Sequence, residues 1–175
     1  MNLPAPHDQL DEVSLQAGEI FMSDEPTVVS TLLGSCVSVC LFDPVTKRGA
    51  MCHGVLPNAP VVLHEDPFRY TDEAVLYLVE RYRRMGVPTS RLVVKVFGGA
   101  DIMGRPVDGY ASIGRQNTMA ALETLGWQGL QVAVRETGGN RGRKIVFVTH
   151  TGEVFLKRLN PISSRKVAVG QRSSA

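Results

Sequence analysis

The sequence predicts a single-domain α+β protein, built mostly from antiparallel strands with two main helices. The chain has 175 residues, which is the size of one hydrophobic core. Its apolar fraction of 43% and charged fraction of 21% are typical of globular proteins. Short apolar or alternating segments bounded by turn residues outnumber the stretches with helical periodicity. We find no internal repeat and no second domain.

The best defined β element is a hairpin within residues 30–56. An apolar, β-branched run reaches a turn at 43–46, and a second strand returns over 49–55. Two shorter strands are predicted upstream, at 19–22 and 27–31, with polar turn residues between them.

Two amphipathic helices follow the hairpin. Residues 71–85 carry apolar side chains at helical spacing, with Thr71 as the expected N-cap and Gly86 as a stop signal. A second helix is predicted over 113–125, ended by Gly126.

The remaining strands surround the second helix. A strand that ends at Gly98-Gly99 precedes this helix, and three strands after it are expected to form a meander. Glycine at such a strand end lets another group approach the backbone closely. The four strands are predicted at 91–97, 130–134, 144–149 and 154–159. We therefore expect an N-terminal extension at 1–17, a folded domain at 18–160 and a frayed tail at 161–175.

Composition excludes several classes of function. The net charge of +2 is too small for phosphate contacts to dominate binding, so no nucleic-acid partner is expected. No apolar run approaches the roughly 20 residues of a membrane helix, and residues 1–10 lack the basic and apolar regions expected of a secretory signal. Three cysteines without a disulfide-like spacing indicate a reducing, cytoplasmic location.

The hairpin brings a cysteine and a histidine together. If the turn takes four residues, Cys36 and His53 become diagonal neighbours on one face of the two strands. Diagonal partners have Cα atoms about 7–8 Å apart, within reach of a histidine side chain. A thiol becomes a nucleophile when a base removes its proton, so this spacing favours thiol catalysis with Cys36 as nucleophile and His53 as base.

Other residues could complete such a site. Gly34 and Ser35 precede the nucleophile, where backbone N–H groups can stabilise an oxyanion. A hydroxyl from Ser30 or Thr31 could orient the imidazole.

Core packing and zinc binding are the two other interpretations of these cysteines. Free cysteine is commonly a core residue, and we assign Cys40 and Cys52 to the core. Zinc is disfavoured because neighbouring strand residues face opposite sides, which separates Cys52 from His53.

Five segments, in this order, resemble the CheD family of chemoreceptor glutamine deamidases. They are TLLGSCVSVCLFDP at 31–44, GAMCHGVLP at 49–57, FGGA at 97–100, IGRQN at 113–117 and TGGNR at 137–141. The resemblance implies an α/β/β layered sandwich and a Cys–His–Thr triad in which Cys36 and His53 are nucleophile and base. The third member is Ser30 in an ungapped alignment, with Thr31 beside it.

The resemblance also implies an activity and partners. The expected reaction is hydrolysis of glutamine side-chain amides on the cytoplasmic helices of methyl-accepting chemoreceptors, without a cofactor or metal. A CheC-type phosphatase is a second expected partner. The competing interpretations are an adaptor with an idle thiol and, less favoured, a peptide-cleaving cysteine protease.

Six further residues are candidates for supporting the cleft, with surface glycine turns and helix capping as the alternative explanation. They are Gly98, Gly99, Arg115, Asn117, Asn140 and Arg141.

Overall fold

The computed structural model describes residues 10–62, 65–102 and 111–160. Nine strands and two α-helices form three layers within these residues: the helices, a five-stranded sheet and a four-stranded sheet. The predicted single-domain α/β/β sandwich is confirmed. The strands are β1 Asp11–Ser14, β2 Ile20–Met22, β3 Thr27–Leu33, β4 Val37–Asp43, β5 Arg48–Cys52, β6 Val93–Gly98, β7 Val132–Thr137, β8 Arg143–Val148 and β9 Val154–Arg158, and the helices are α1 Thr71–Arg84 and α2 Ile113–Trp127.

The strand order is β1-β3-β8-β9 in the four-stranded sheet and β2-β5-β4-β6-β7 in the five-stranded sheet. Pairing is parallel between β1 and β3 and between β6 and β7, and antiparallel in the other pairs. The mostly antiparallel character predicted from the sequence is therefore confirmed.

The predicted meander of the last three strands is wrong. β8 and β9 form a hairpin in the four-stranded sheet, whereas β7 lies in the other sheet, parallel to β6. Helix α2 connects β6 to β7, and a helical crossover of this kind returns the chain in the same direction beside the strand it left. Because the partner of β7 precedes it by a whole helix, local periodicity could not identify the pairing.

The hairpin of β4 and β5 has the predicted register. Asp43 pairs with Arg48 across the turn, and the same pairing continues to Cys40 and Met51. The fully buried Asp43 carboxylate accepts hydrogen bonds within the turn and two from the guanidinium of Arg91, at 2.7 Å each. This ion pair fixes the turn to the segment that leads into β6.

Both helices begin or end slightly away from the predicted positions. Thr71 is the first residue of α1 rather than its cap, and its buried hydroxyl has no hydrogen-bond partner in the described part of the chain. Helix α2 is capped by the Ser112 side chain and continues past Gly126 to Trp127. The chain then turns at Gly129, whose φ of 73° lies in the left-handed region that glycine adopts easily.

Two apolar cores lie between the three layers. One joins the helices to the five-stranded sheet and includes Cys52, and the other joins the two sheets and includes Cys40. Strand β1 lies within residues 1–17, yet it pairs with β3, and Leu15 is buried in the core between the sheets. The predicted tail at 161–175 lies outside the described residues.

Candidate active site

Cys36 occupies the residue before β4, at the end of the space between the two sheets. It is partly exposed and packs at the margin of the inter-sheet core. Cys40 and Cys52 are buried, and Cys52 faces the helices on the other side of the five-stranded sheet. Cys36 is therefore the accessible thiol among the three.

His53 directly follows β5, and its backbone is held on the β2 side. Its N–H donates to the Glu19 carbonyl at 2.9 Å, and its own carbonyl accepts from Gly18 N–H at 2.8 Å. The side chain is 5% exposed. The backbone contacts hold this residue at the strand end while the ring points into the seam between the sheets.

A threonine hydroxyl determines which ring nitrogen of His53 carries the proton. Thr31 Oγ1 lies 2.8 Å from His53 Nδ1 and 2.7 Å from the Leu15 carbonyl oxygen. The carbonyl can only accept, so the single hydroxyl proton goes to Leu15, and the hydroxyl oxygen accepts from Nδ1–H. This assignment leaves Nε2 unprotonated, and Nε2 is buried with no hydrogen-bond partner among the described residues.

The structure brings Thr31, and not Ser30, to the imidazole. Ser30 pairs with Val146, and its neighbours in the sheet, Val28 and Val148, pack on the outer face. Because successive strand residues face opposite sides, Ser30 points away from the face that Thr31 presents to His53.

Cys36 and His53 flank the last rung of the hairpin ladder. Val37 and Gly54 exchange two backbone hydrogen bonds, of 3.0 and 2.8 Å. Cys36 is one residue beyond this rung on its strand, and His53 is one residue before it on the other. They are the diagonal neighbours that the predicted register implies.

Burial favours the neutral forms of both groups. It raises the pKa of the Cys36 thiol, an effect that the residue's own backbone N–H partly offsets. Burial lowers the pKa of His53, against opposing contributions from the Leu15 carbonyl and the Glu19 carboxylate. Both shifts therefore oppose formation of a thiolate–imidazolium pair.

The segment that ends at Cys36 packs against the glycines at the end of β6. Gly99 N–H donates to the Cys36 carbonyl at 2.8 Å, and Ala100 N–H donates to the Gly34 carbonyl at 2.8 Å. A Cβ on Gly98 would lie 2.2 Å from the Cys36 carbonyl oxygen, so only glycine fits. Among the described residues, no backbone hydrogen bond uses the N–H of Ser35 or Cys36.

Helix α2 reaches the site through Asn117. This side chain is fully buried and donates to the carbonyl oxygens of Ser35, at 3.0 Å, and Val55, at 2.8 Å. Arg115 is exposed, and its backbone N–H donates to the capping hydroxyl of Ser112. Of these two predicted residues, Asn117 has a direct contact with the residues around Cys36.

The loop after β7 lies beside Gly34. Asn140 and Gly34 both line an apolar cleft of about 190 Å³, and Arg141 is exposed nearby.

The sequence analysis missed Arg143, which is buried and donates to the carbonyls of Glu136 and Gly138. Its position at the start of a strand gave no signal of this role. It also missed the Leu15 carbonyl, because a backbone acceptor leaves no trace in the sequence.

The structure offers no metal-binding cluster within the described residues: nowhere among them do three His, Cys, Asp or Glu side chains converge. Neither described helix has the length and apolarity that crossing a bilayer requires.

Comparison with known proteins identifies a family and several relatives. The family model described as CheD chemotactic sensory transduction matches residues 55–158. A Geobacter sulfurreducens protein named probable chemoreceptor glutamine deamidase CheD 2 is 43% identical over 158 residues, which is 90% of this chain and 96% of that protein. The chemoreceptor glutamine deamidase CheD of Thermotoga maritima is 37% identical over 143 residues, covering 81% and 88% of the two chains.

Among solved structures, Bacillus licheniformis YfiH matches with a TM-score of 0.42 and 12% identity, covering 68% of this chain and 50% of that one.

The fold and the site define a layered α+β domain with cysteine, histidine and threonine at the seam of its two sheets. The chain belongs to the CheD family.

Proposed function

We propose that this protein is a protein-glutamine deamidase that hydrolyses glutamine side chains of chemoreceptors to glutamate and releases ammonia. The observation that carries the proposal is the contact of Thr31 with His53 Nδ1. This contact leaves Nε2 available as a base on a residue that is the diagonal neighbour of Cys36. The names of the relatives supply the substrate class.

In the acylation step, His53 Nε2 takes the thiol proton as the Cys36 sulfur bonds to the glutamine Cδ. The amide oxygen becomes an oxyanion that the N–H groups of Ser35 and Cys36 can stabilise, since no other backbone acceptor occupies them in the described structure. Protonated Nε2 then donates to the amide nitrogen. The C–N bond breaks, ammonia leaves and a thioester remains.

In the deacylation step, Nε2 is again unprotonated and takes a proton from an attacking water. The C–S bond breaks, glutamate forms, and the sulfur recovers its proton from His53. Because burial disfavours the charged forms of both groups, we expect His53 to receive the proton as the sulfur attacks.

Mass spectrometry of a co-expressed chemoreceptor tests the proposal. Wild-type protein should convert specific glutamines to glutamates, and Cys36→Ala should abolish the conversion. Cys40→Ala is the matched control, because it removes a buried thiol from β4, the strand that follows Cys36, but leaves the site intact. Conversion at the wild-type rate by Cys36→Ala would contradict the thiol mechanism.

The alternative is a chemotaxis adaptor whose thiol is idle. The raised pKa of Cys36 is consistent with this alternative, because it reduces the fraction of reactive thiolate. The rate of iodoacetamide labelling alone cannot separate the two functions, because Cys36 is the accessible thiol in either case. A base acting on Cys36 makes labelling depend on the imidazole. His53→Gln should therefore slow labelling of an enzyme and leave that of an idle thiol unchanged.

Membership of the CheD family also suggests where the protein acts and with which partners. We propose a cytoplasmic location, cytoplasmic receptor helices as substrate, and a CheC-type phosphatase as a second partner. Co-purification of the tagged protein with each candidate tests both interactions separately.

A further inference from the structure

The strands β4 and β5 separate at the nucleophile, and one buried amide bridges the gap. In an antiparallel ladder, the hydrogen-bonded rung after Val37 and Gly54 would join Ser35 to Leu56. That rung is absent. Leu56 N–H donates instead to the Arg69 carbonyl at 3.0 Å, and the Leu56 carbonyl accepts from Thr71 N–H at 2.8 Å.

Asn117 replaces the missing rung. Its Nδ2 donates one hydrogen bond to Ser35, the residue before the nucleophile, and one to Val55, the residue opposite the nucleophile. Both partners are carbonyl oxygens, which only accept, so the nitrogen of the amide must face them. One side chain therefore sets the distance between the segment that contains Cys36 and the segment opposite it.

The close approach of α2 makes this bridge possible. Gly114, three residues before Asn117, packs so tightly that a Cβ there would lie 2.6 Å from the Gly99 carbonyl oxygen. Gly114 of α2 therefore packs directly against Gly99, at the end of β6. This close approach lets the Asn117 side chain reach between the two strands while it stays buried.

From these contacts we propose that Asn117 is a positioning residue, which fixes the distance between the two strands at Cys36 so that the Ser35 and Cys36 N–H groups stay directed at the oxyanion. If Ser35 and Leu56 paired, the Ser35 N–H would be occupied by a carbonyl. The inference rests on the proposed deamidase function. Asn117 itself is buried and does not contact the receptor.

Receptor deamidation kinetics separate this role from a purely structural one. Asn117→Ala should lower kcat by roughly 10- to 100-fold, as expected for a small displacement of a reacting group, and leave KM unchanged. Asn117→Ser, which can reach only one carbonyl, should fall between Ala and wild type. The control is Thr124→Ala, which removes a buried hydroxyl from the same helix about two turns away.

Hydrogen exchange of the wild-type protein tests the open strands without any variant. The amides of Val37 and Gly54 should be protected, and that of Ser35 should exchange fast. In Asn117→Ala, protection of Val37 and Gly54 should fall while that of Leu41, further along the hairpin, is kept.

Three results would overturn the inference: a Ser35 amide as protected as that of Val37, wild-type kcat in Asn117→Ala, or an equal loss of kcat in Thr124→Ala. An inactive wild-type protein would instead refute the deamidase proposal, and the exchange pattern would still report on the strands.

Discussion

At the scale of single residues, one hydroxyl proton decides which nitrogen of His53 can act as the base. Thr31 has one proton to give, and the Leu15 carbonyl receives it. The imidazole must then donate from Nδ1, and its other nitrogen keeps a free lone pair. In the proposed mechanism, Thr31 takes the position that a carboxylate occupies in many catalytic triads, but it adds no negative charge.

Removing this hydroxyl should slow the reaction more than it destabilises the protein. Thr31→Val keeps the shape and loses the acceptor for Nδ1–H, so the base form is no longer selected, and kcat should fall roughly 10- to 1000-fold. Thr31→Ser should retain most activity. Ser30→Ala, on the opposite face, is the control, and a loss of kcat there equal to that of Thr31→Val would contradict the assignment.

The pH dependence of kcat/KM should report the lowered pKa of His53. In the proposed mechanism the neutral imidazole is the active form, so activity should rise as pH increases through a midpoint below the ordinary value of 6.5 and stay level above it. Glu19 opposes the lowering, so Glu19→Gln should move the midpoint further down. A midpoint at or above 6.5 in the wild type would disagree with the buried environment.

At the scale of elements, two features position Cys36: the turn of the hairpin and the glycines at the end of β6. The turn sets the register that puts Cys36 beside His53, and the glycines let β6 lie directly behind the Cys36 carbonyl. Each can be perturbed separately, because the turn lies at the far end of β4.

Breaking the ion pair of the turn should lower stability. Asp43→Asn leaves Arg91 without its buried partner and should reduce the free energy of unfolding by about 3 kcal/mol, measured by denaturant titration. Glu80→Gln, which breaks the exposed pair with Arg84, should change little.

The same carboxylate should make stability depend on pH in acid. Burial acts to raise the pKa of Asp43, but hydrogen bonds from Arg91, Thr46 and Val45 and the charge of Arg91 lower it to about 2. This pKa lies below the ordinary value of 3.8, so the contribution is complete above 3.8 and is lost as pH falls toward 2. Asp43→Asn should lack this part of the acid transition.

Replacing Gly98 should affect the site, whereas a similar replacement elsewhere should not. Gly98→Ala forces a Cβ against the Cys36 carbonyl, so both kcat and stability should fall. Gly129→Ala is the matched control, because its φ of 73° is also positive but nothing lies within 4 Å of the added carbon. It should cost about 1–2 kcal/mol of stability and keep kcat. Equal kcat in the two variants would exclude the contact as the cause.

At the scale of the whole molecule, local patterns were enough to predict the elements but not all of their partners. The turn residues around Asp43 predicted the register of the hairpin, because a turn links strands that are adjacent in sequence. β7 was placed with the wrong strands because its partner lies across a helix. The choice between Ser30 and Thr31 stayed open because strand alternation separates the two residues but does not reveal which face meets His53.

The site draws its parts from both sheets. His53 follows a strand of the five-stranded sheet, whereas Thr31 and the Leu15 carbonyl belong to the four-stranded sheet and its edge. A shift of about 1 Å between the sheets would lengthen the contact at Nδ1 beyond hydrogen-bonding distance. If His53 is the base, as proposed, its orientation depends on the spacing of the two sheets. A core substitution far from Cys36 should then change turnover without touching the substrate.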